Sequence, residues 1–524
     1  MKCRIIKNMK NKRFSGVLLH PTSLPGRYGI GDFGNEAYRF ADFLSDSSVK
    51  LWQILPLGPT GYGNSPYSAR STFAGNTYLI SLDLLMEKGL LTETQINSIY
   101  GLPDDIYESP SGAEANGRVD FSLVEPKKKE LLIAAAGEFI NNSTGENYSG
   151  YEKFCADNSN WLNDYALFAV ATEKYNDSRW FLTWEQGLGY RDPEVLTRWF
   201  HEYADEIQIQ KVLQYFFYDQ WAALKQYVNR RGIELIGDVP IFAAADSADT
   251  WVNLNLFKTN ENGKFSAQSG VPPDFFSETG QLWGTPVYDW DHCEEDIMQW
   301  WVLRIRKALE QTDIVRIDHF RGLEAYWEVE SGEETAINGK WVKAPGRKLF
   351  MRIQNELGNV SIIAEDLGVM TPEVIALREE YDLPGMKILQ FAFEKTASGV
   401  LDASNDFLPH NYPVNCVAYT GTHDNDTTLG WYMNLDEDEK DLVRRYLARS
   451  GDDISWSMMR QVMVSQARYA IFPMQDLLSL GADSRMNIPS TVGISNWSWR
   501  MMPGTATAHI SSRFSEMVKM YGRS

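Results

Sequence analysis

Short apolar runs alternate with amphipathic stretches along most of the chain. Runs bounded by Gly, Pro, Asn or Asp are typical of buried strands. Eight such runs begin at Ser15, Val49, Ile233, Ile314, Val360, Met386, Asn415 and Ala467. Helical spacing of apolar residues marks stretches that begin at Glu36, Asp219, Ile297 and Thr371. Eight buried strands alternating with helices predict an α/β fold, a (β/α)8 TIM barrel rather than an open doubly wound sheet.

Two segments are too long to be simple connections between a strand and a helix. Residues 80–218, between the second and third predicted strands, contain the helical patterns ETQINSIYGL, KKKELLIAAAGEFINN and DYALFAVATEKY. They predict a large helical insertion beside the barrel. Residues 243–289 are rich in Gly, Pro, Asn and Phe and predict a long loop insertion at the C-terminal rim. We therefore expect a single catalytic barrel domain over 1–524 that carries both insertions.

The composition excludes several classes of protein. The 524 residues are 44% hydrophobic and 23% charged, which is ordinary for a globular chain with a large core. The net charge of −20 repels phosphate backbones and anionic lipid, so we expect no nucleic-acid partner. The four cysteines form neither a CxxC motif nor a cluster with histidine. We therefore expect no disulfide framework, no metal and no cofactor.

The sequence also bears on location and assembly. The N-terminal stretch MKCRIIKNMKNKRFSG is basic but lacks the continuous apolar segment of a secretory signal. No run approaches the roughly 18 apolar residues of a transmembrane helix. We expect a cytoplasmic protein with no membrane partner, either a monomer or a weak homo-oligomer.

Four acidic residues end or follow predicted strands. Asp238 ends ELIGD, Asp318 ends IVRID, Glu365 ends SIIAE, and Asp424 follows VAYTGTH. A barrel builds its active site at the C-terminal ends of its strands, so these acids should converge on one rim. A capped loop or a salt bridge explains any one of them alone. Four like charges on one rim would cost stability without a function.

Strand alternation places Arg316 and Asp318 on the same face. The guanidinium would keep Asp318 ionised, as a nucleophile must be. Glu365 ends an apolar strand near other carboxylates, so its pKa should be raised, which suits a proton donor. This pairing is typical of glycosidic bond cleavage with retention of configuration. Asp424 is then a third carboxylate that favours the transition state, and His423 is either a donor to the same sugar or a structural histidine.

Two loops have the composition of a sugar-binding rim. Residues 270–290 combine amides, acids and aromatics, and residues 58–76 place Tyr62 and Tyr67 in a Gly-rich loop after the second strand. The second loop lacks the GKS/T ending of a phosphate cradle. Residues 270–290 also fit a Pro/Gly-rich surface loop with a few packed rings.

Long motifs occur along the chain in a fixed order. They are GVLLHPTSLPGRYGIGDFG, LPLGPTGYGNSPYS with STFAGN, IGDVPIF, GVPPDFFSETGQLWGTPVYDW, VRIDHFRG, IIAEDLG, TGTHDNDT and NWSWR. With these motifs the sequence resembles the 4-α-glucanotransferases called amylomaltases or disproportionating enzymes, glycoside hydrolase family 77 of the α-amylase superfamily. The resemblance covers nearly the whole chain.

The resemblance implies the function and the roles of individual residues. Asp318 would be the nucleophile that forms a covalent glycosyl-enzyme, Glu365 the general acid/base and Asp424 the transition-state stabiliser. Seven further residues would bind substrate: Ser65, Tyr67, Asp238, Gln281, Trp283, Arg316 and His423. The enzyme would transfer a segment of an α-1,4-glucan to the 4-hydroxyl of glucose or a maltooligosaccharide by a retaining double displacement.

The chain departs from the family pattern at one place. The family sequence Asn-x-Pro-Gly-Thr reads Asn-Ile-Pro-Ser-Thr at residues 487–491. Serine in place of glycine leaves the backbone conformation of this loop open, and it does not affect the catalytic acids.

Three other functions compete with this interpretation. An amylase or α-glucosidase of the same superfamily would use the same three acids. An inactive maltodextrin-binding or scaffold protein on the same barrel would need no nucleophile and acid/base pair. A phosphate-binding barrel enzyme of central metabolism would need a Gly-rich loop after strand seven or eight, which this sequence lacks. The family-specific loops favour the transferase.

Overall fold

The computed structural model describes residues 12–101, 117–142, 144–273, 277–396 and 399–524. The strands in chain order are β1 (Phe14–Leu18), β2 (Leu51–Gln53), β3 (Glu234–Val239), β4 (Ala267–Val271), β5 (Gln281–Pro286), β6 (Ile314–Ile317), β7 (Ala325–Glu330), β8 (Lys340–Lys343), β9 (Ile362–Ala364), β10 (Gly385–Ile388), β11 (Cys416–Tyr419) and β12 (Tyr469–Pro473).

Eight of these strands form one parallel sheet in the order β10-β11-β12-β1-β2-β3-β6-β9. At the seam between its outer strands, the Ala364 N–H donates to the Pro384 carbonyl at 3.0 Å. The sheet therefore closes into a barrel with β9 beside β10. All eight predicted strands are confirmed, and so is the (β/α)8 prediction.

Helices surround the barrel and fill the long connections between its strands. In the described parts of the chain the α-helices are Asn35–Asp46, Leu82–Glu87, Glu93–Tyr100, Phe121–Asn142, Glu146–Asp157, Leu162–Tyr175, Trp180–Thr183, Gln186–Gly189, Pro193–Glu202, Ala204–Arg230, Ala248–Val252, Trp290–Gln311, Gly346–Leu357, Pro372–Glu380, Thr428–Asn434, Glu437–Leu447, Ile454–Val464, Met474–Leu477 and Ala508–Met520. The four amphipathic helices predicted from the sequence are confirmed. None of the helices found in these ranges is long and apolar enough to cross a membrane.

The connection between β2 and β3 is helical where the sequence predicts helices. Its long helix Ala204–Arg230 contacts the helices Phe121–Asn142 and Leu162–Tyr175. Helix Ala204–Arg230 leads directly towards β3, so it ties the insertion to the barrel wall. The division of 1–524 into one barrel domain with insertions at 80–218 and 243–289 stays a prediction.

Two buried glutamines of that helix hold the loop that follows β2. The Gln214 side chain accepts from the Gly75 N–H at 2.7 Å and donates to the Gly75 carbonyl at 3.1 Å. Gln220 makes the same pair of bonds with Ser81, at 2.7 and 3.1 Å. Each amide therefore pairs with a buried peptide group as a neighbouring strand would. These bonds anchor the end of the loop on which Tyr67 lies.

Part of the region 243–289 is not a loop, and the sequence prediction is wrong there. This region contains the helix Ala248–Val252 and the strands β4 and β5. Together with β7 and β8 they form an antiparallel sheet in the order β5-β4-β7-β8. The sequences AQSGV and QLWGTP lack alternation of apolar and polar residues. They become strands because β4 pairs with β7, far along the chain, and β5 pairs with β4. Residues 274–276 of the predicted aromatic rim lie outside the described residues.

Removal of the Gln214 side chain, which pairs with Gly75, is predicted to lower the free energy of unfolding. Gln214→Ala leaves the buried N–H and carbonyl of Gly75 without partners, which costs about 1–3 kcal/mol. Gln226→Ala, at an exposed position of the same helix, is the matched control. Thermal or urea unfolding should show a clear loss for Gln214→Ala and little change for the control. Equal effects of the two changes would contradict the role given to Gln214.

Candidate active site

Three acids lie at the ends of three neighbouring strands. Asp238 is in β3, Asp318 follows β6 directly, and Glu365 follows β9 directly. Because β3, β6 and β9 pair in parallel register, these side chains come together at the C-terminal rim. The backbone continues the pairing there, with the Glu365 N–H donating to the Ile317 carbonyl at 3.1 Å. The convergence expected from the strand ends is present in the structure.

One buried guanidinium joins two of these carboxylates. Arg316 lies in β6, is 3% exposed, and contacts Asp238 Oδ2 through Nη1 at 2.5 Å and Asp318 Oδ1 through Nη2 at 2.9 Å. Burial opposes the charge of Arg316, but Asp238 and Asp318 outweigh it and raise the pKa of the guanidinium well above its ordinary value. The cation is therefore permanent and compensates both acids.

Glu365 is an acid whose surroundings favour its protonated form. Burial and the charge of Asp318 raise the pKa of Glu365 from 4.5 to about 7, against the opposing effect of Arg316. The N–H of Leu367 donates to Oε1 at 2.8 Å, and the N–H of His319 donates to Oε2 at 2.7 Å. These two donors fix the orientation of the carboxyl group. Near neutral pH Glu365 can both release and take up a proton.

Asp424, which follows β11, has the opposite tendency. Burial favours its neutral form, but His423 and Asn487 outweigh burial and lower the pKa of Asp424 to about 2. His423 Nε2 lies 3.3 Å from Oδ2, and the Asn487 amide donates to Oδ1 at 2.6 Å. Burial lowers the pKa of His423 less than Asp424 raises it, so the net shift is upward. Asp424 therefore favours its negatively charged form, and its neighbour His423 is shifted towards its protonated form.

Tyr67 links the loop after β2 to this cluster. Its hydroxyl donates to Asp238 Oδ2 at 2.8 Å, and its ring stacks on His423 with centroids 5.1 Å apart. Ser65 Oγ accepts from the Tyr67 N–H at 3.2 Å and caps the turn Pro66–Ser68. In this structure Ser65 therefore holds the turn of Tyr67. Burial raises the pKa of Asp238 to about 6, and its Oδ1 has no hydrogen-bond partner among the described residues.

A cleft of about 580 Å³ opens above the acids. Five of the predicted site residues line it: Tyr67, Gln281, Trp283, Asp318 and Asp424. Gln281 and Trp283 lie in β5, and the Trp283 ring meets the edge of the His319 ring at 4.7 Å. Trp283 lines the cleft and is 37% exposed, so part of its ring surface is accessible to a ligand there. A flat apolar ring beside hydrogen-bonding acids suits a sugar ligand.

Sequence reasoning missed several residues that hold the acids. Asn487 donates to Asp424, and Arg485 Nη2 donates to the Asp424 carbonyl at 2.6 Å. His319, with a left-handed φ of 51°, donates its N–H to Glu365. Trp497 lines the cleft and lies 5.7 Å from the Tyr67 ring. Asn487, His319 and Trp497 lie in the motifs NIPST, DHF and NWSWR. These motifs are visible in the sequence, but they do not by themselves indicate contacts with the acids.

The described residues contain no group of three or more His, Cys, Asp or Glu side chains that could hold a metal ion. At the rim Arg316 contacts Asp238 and Asp318, and His423 contacts Asp424. A carboxyl group with a raised pKa, Glu365, lies near these acids, and such a pair of differing carboxyl groups suits proton transfer.

Comparison with known proteins gives one consistent result. Residues 19–506 match the family described as 4-alpha-glucanotransferase, glycoside hydrolase family 77. The chain is 46% identical over 519 residues to a 4-alpha-glucanotransferase of Synechocystis sp.. The matched region covers 98% of this chain and 99% of that protein. It is 45% identical over 514 residues to one of Streptococcus pneumoniae, with 98% of each chain covered. The structure of an amylomaltase from Streptococcus agalactiae in complex with acarbose matches with a TM-score of 0.90 and 38% identity, over 98% of this chain and 100% of that one.

The raised pKa of Glu365 predicts a dependence of stability on pH. Because the pKa is near 4.5 in the unfolded chain and about 7 in the folded protein, this group loses its contribution to stability as pH rises through that window. Glu365→Gln removes the loss, and relative to wild type it should gain about 3 kcal/mol between pH 4.5 and pH 8.

The readout is the difference in Tm between variant and wild type, measured at both pH values. The glutamine amide has only one oxygen, so its N–H group faces one of the two backbone N–H donors at this site. The resulting loss of stability is the same at each pH. Glu152→Gln, at an exposed position, is the control and should show no such difference. A Tm difference for Glu365→Gln that does not change with pH would contradict the prediction.

Proposed function

The chain belongs to the 4-alpha-glucanotransferases of glycoside hydrolase family 77, and from that membership we propose the mechanism by which it transfers glucan segments. The enzyme cleaves an α-1,4 bond of a donor glucan and moves the released segment to the 4-hydroxyl of an acceptor sugar. The transfer proceeds by double displacement through a covalent glycosyl-aspartate. The observation that carries the proposal is the ionised pair of Asp318 and Arg316 beside Glu365, with its pKa of about 7.

In the first step Asp318 attacks the anomeric carbon of the donor. The bond from that carbon to the leaving oxygen breaks, and Glu365 transfers its proton to this oxygen. The contact with Arg316 favours the ionised form of Asp318 that attack requires. The raised pKa supports Glu365 as the proton donor.

In the second step the acceptor replaces the leaving chain. Glu365, now ionised, removes the proton from the 4-hydroxyl of the acceptor, whose oxygen attacks the anomeric carbon. The ester bond to Asp318 breaks and an α-1,4 bond forms, so configuration is retained over the two steps. Asp424 and His423 bind hydroxyls of the reacting sugar, and the negative charge of Asp424 favours the positively charged transition state.

Transfer rather than hydrolysis requires that an acceptor sugar, and not water, meets the intermediate. The cleft offers aromatic surfaces at Tyr67, Trp283 and Trp497 on which a sugar ring can stack. A bound acceptor there displaces water from the reacting carbon. Gln281, which lines the cleft, supplies a polar contact to the same ligand, and the buried Asp238 holds the Tyr67 hydroxyl.

The substrates that fit this site are maltooligosaccharides and α-1,4-glucans. Acarbose, the ligand of the Streptococcus agalactiae amylomaltase, supports this class for the present chain. The cytoplasmic location and the choice between a monomer and a weak homo-oligomer stay predictions from the sequence.

The proposal predicts the products made from maltotriose alone. Wild type should produce a ladder of longer chains and free glucose, with the total number of reducing ends unchanged. Asp318→Asn should abolish this reaction because an amide does not form the glycosyl ester, while acarbose binding measured by calorimetry remains. Asp438→Asn, at an exposed acid of the helix Glu437–Leu447, is the control and should be fully active.

The other outcomes separate the competing functions. Rising reducing ends with only shorter products would identify a hydrolase. Binding without any reaction of wild type, including with longer donors, would favour a glucan-binding protein. Full activity of Asp318→Asn would remove Asp318 as the nucleophile.

The proposal also predicts the dependence of activity on pH. Glu365 must be protonated in the free enzyme, so kcat/KM should fall about tenfold for each pH unit above about 7. The measurement is kcat/KM for maltotriose from pH 5 to pH 9, with Tm followed over the same range to exclude unfolding. A constant kcat/KM up to pH 9 would argue against Glu365 as the general acid.

A further inference from the structure

Ser490 has a backbone conformation that residues with a side chain rarely adopt. Its φ is 61°, in the left-handed region. There the Cβ atom of an L-residue crowds the following carbonyl, which is why glycine is common at such positions. The structure thus settles the conformation that the sequence left open at this serine, and a strained residue of this kind persists only where its surroundings hold it.

The side chain of Asn496 holds the loop on both sides of Ser490. Its Oδ1 accepts from the Ile488 N–H at 3.2 Å, and its Nδ2 donates to the carbonyl and to Oγ1 of Thr491, each at 3.0 Å. At the base of the loop, the Trp497 N–H donates to the Met486 carbonyl at 2.7 Å. These bonds fix the backbone before and after Ser490, so the left-handed conformation is imposed by the loop as a whole.

This loop is part of the active-site wall. Ser490 lines the same cleft as Asp318 and Asp424. Three residues earlier, Asn487 donates to Asp424. Trp497, at the other end of the loop, also has a left-handed φ, of 60°, and also lines the cleft. The strain therefore concentrates in the two cleft-lining residues 490 and 497.

The hydroxyl of Ser490 is available to a ligand. The residue is exposed, and its side chain makes no hydrogen bond to the described part of the protein. Glycine would relieve the strain and would lack only the Cβ atom and the hydroxyl. The neighbouring side chains Val492 and Ile494 are exposed and apolar, so they offer no hydrogen bond in place of Ser490.

We propose that Ser490 is a substrate-binding residue whose hydroxyl forms a hydrogen bond with a glucose hydroxyl of the α-1,4-glucan in the cleft. The left-handed backbone holds this hydroxyl at the cleft wall, close to the loop segment that positions Asp424. The inference rests on the proposed function, because it takes the ligand to be the glucan of that reaction.

Two substitutions separate the hydroxyl from the backbone. Ser490→Ala removes the hydroxyl and keeps the strain, whereas Ser490→Gly removes both. Loss of one hydrogen bond predicts that both variants bind acarbose about 3- to 10-fold more weakly in calorimetry, with a similar fall in kcat/KM for maltotriose. Only Ser490→Gly should gain stability, with Tm higher by about 1 to 2 °C. Ser495→Ala, at an exposed serine of the same loop, is the control and should match wild type.

Each alternative result has a distinct meaning. Acarbose affinity of wild type in Ser490→Ala, with weaker binding only in Ser490→Gly, would assign the effect to loop rigidity and overturn the inference. Unchanged affinity in both variants of an active enzyme would also overturn it and leave the proposed function intact. A wild-type protein that neither binds acarbose nor elongates maltotriose would remove the proposed function, and the inference with it.

Discussion

Arg316 is the cation around which the acids of the barrel rim come together. Its guanidinium contacts Asp238 and Asp318 at once; Arg316 and Asp238 are buried, and the Asp318 side chain is 32% exposed. A buried carboxylate loses hydration and is repelled by a second carboxylate beside it, so Asp238 persists there because it is paired with a cation. Burial and the charge of Asp318 raise the pKa of Glu365, while Arg316 opposes that rise. The placement of one arginine in β6 therefore acts on all three acids at the ends of β3, β6 and β9.

The remainder of the site contains carboxyl groups with shifted pKa values and residues with a left-handed backbone. Glu365 has a raised pKa and Asp424 a lowered one, although both are carboxyl groups at the same rim of the barrel. The difference comes from their neighbours, since Asp424 faces His423 and Asn487 whereas Glu365 faces the charge of Asp318. Left-handed backbone also occurs here, at His319, Ser490 and Trp497, as it does at several positions elsewhere in the described residues. At these three positions the strained residue touches Glu365 or lines the cleft.

The two sheets differ in how clearly their strands can be recognised in the sequence. Every strand of the barrel is a buried apolar run, and burial on both faces leaves a signal in the sequence of that strand alone. The predicted positions of Asp318 and Glu365 followed, because a residue directly after a parallel strand lies at the C-terminal rim. The antiparallel sheet had no such signal. Its strands β4 and β5 contain Gly, Ser and Gln, and they form because β4 pairs with the distant β7 and β5 pairs with β4.

The chain by itself determined the barrel, the rim on which the acids lie, and the pairing of Arg316 with Asp318, since each follows from strand periodicity within a short segment. Tertiary structure alone decided which groups surround those acids. Asn487 reaches Asp424 across 63 residues of chain, and the Tyr67 hydroxyl reaches Asp238 across 171. It also decided that Ser490 is left-handed, because bonds from Asn496 impose that conformation. A contact between distant segments depends on how the whole barrel closes, and periodicity within either segment carries no record of it.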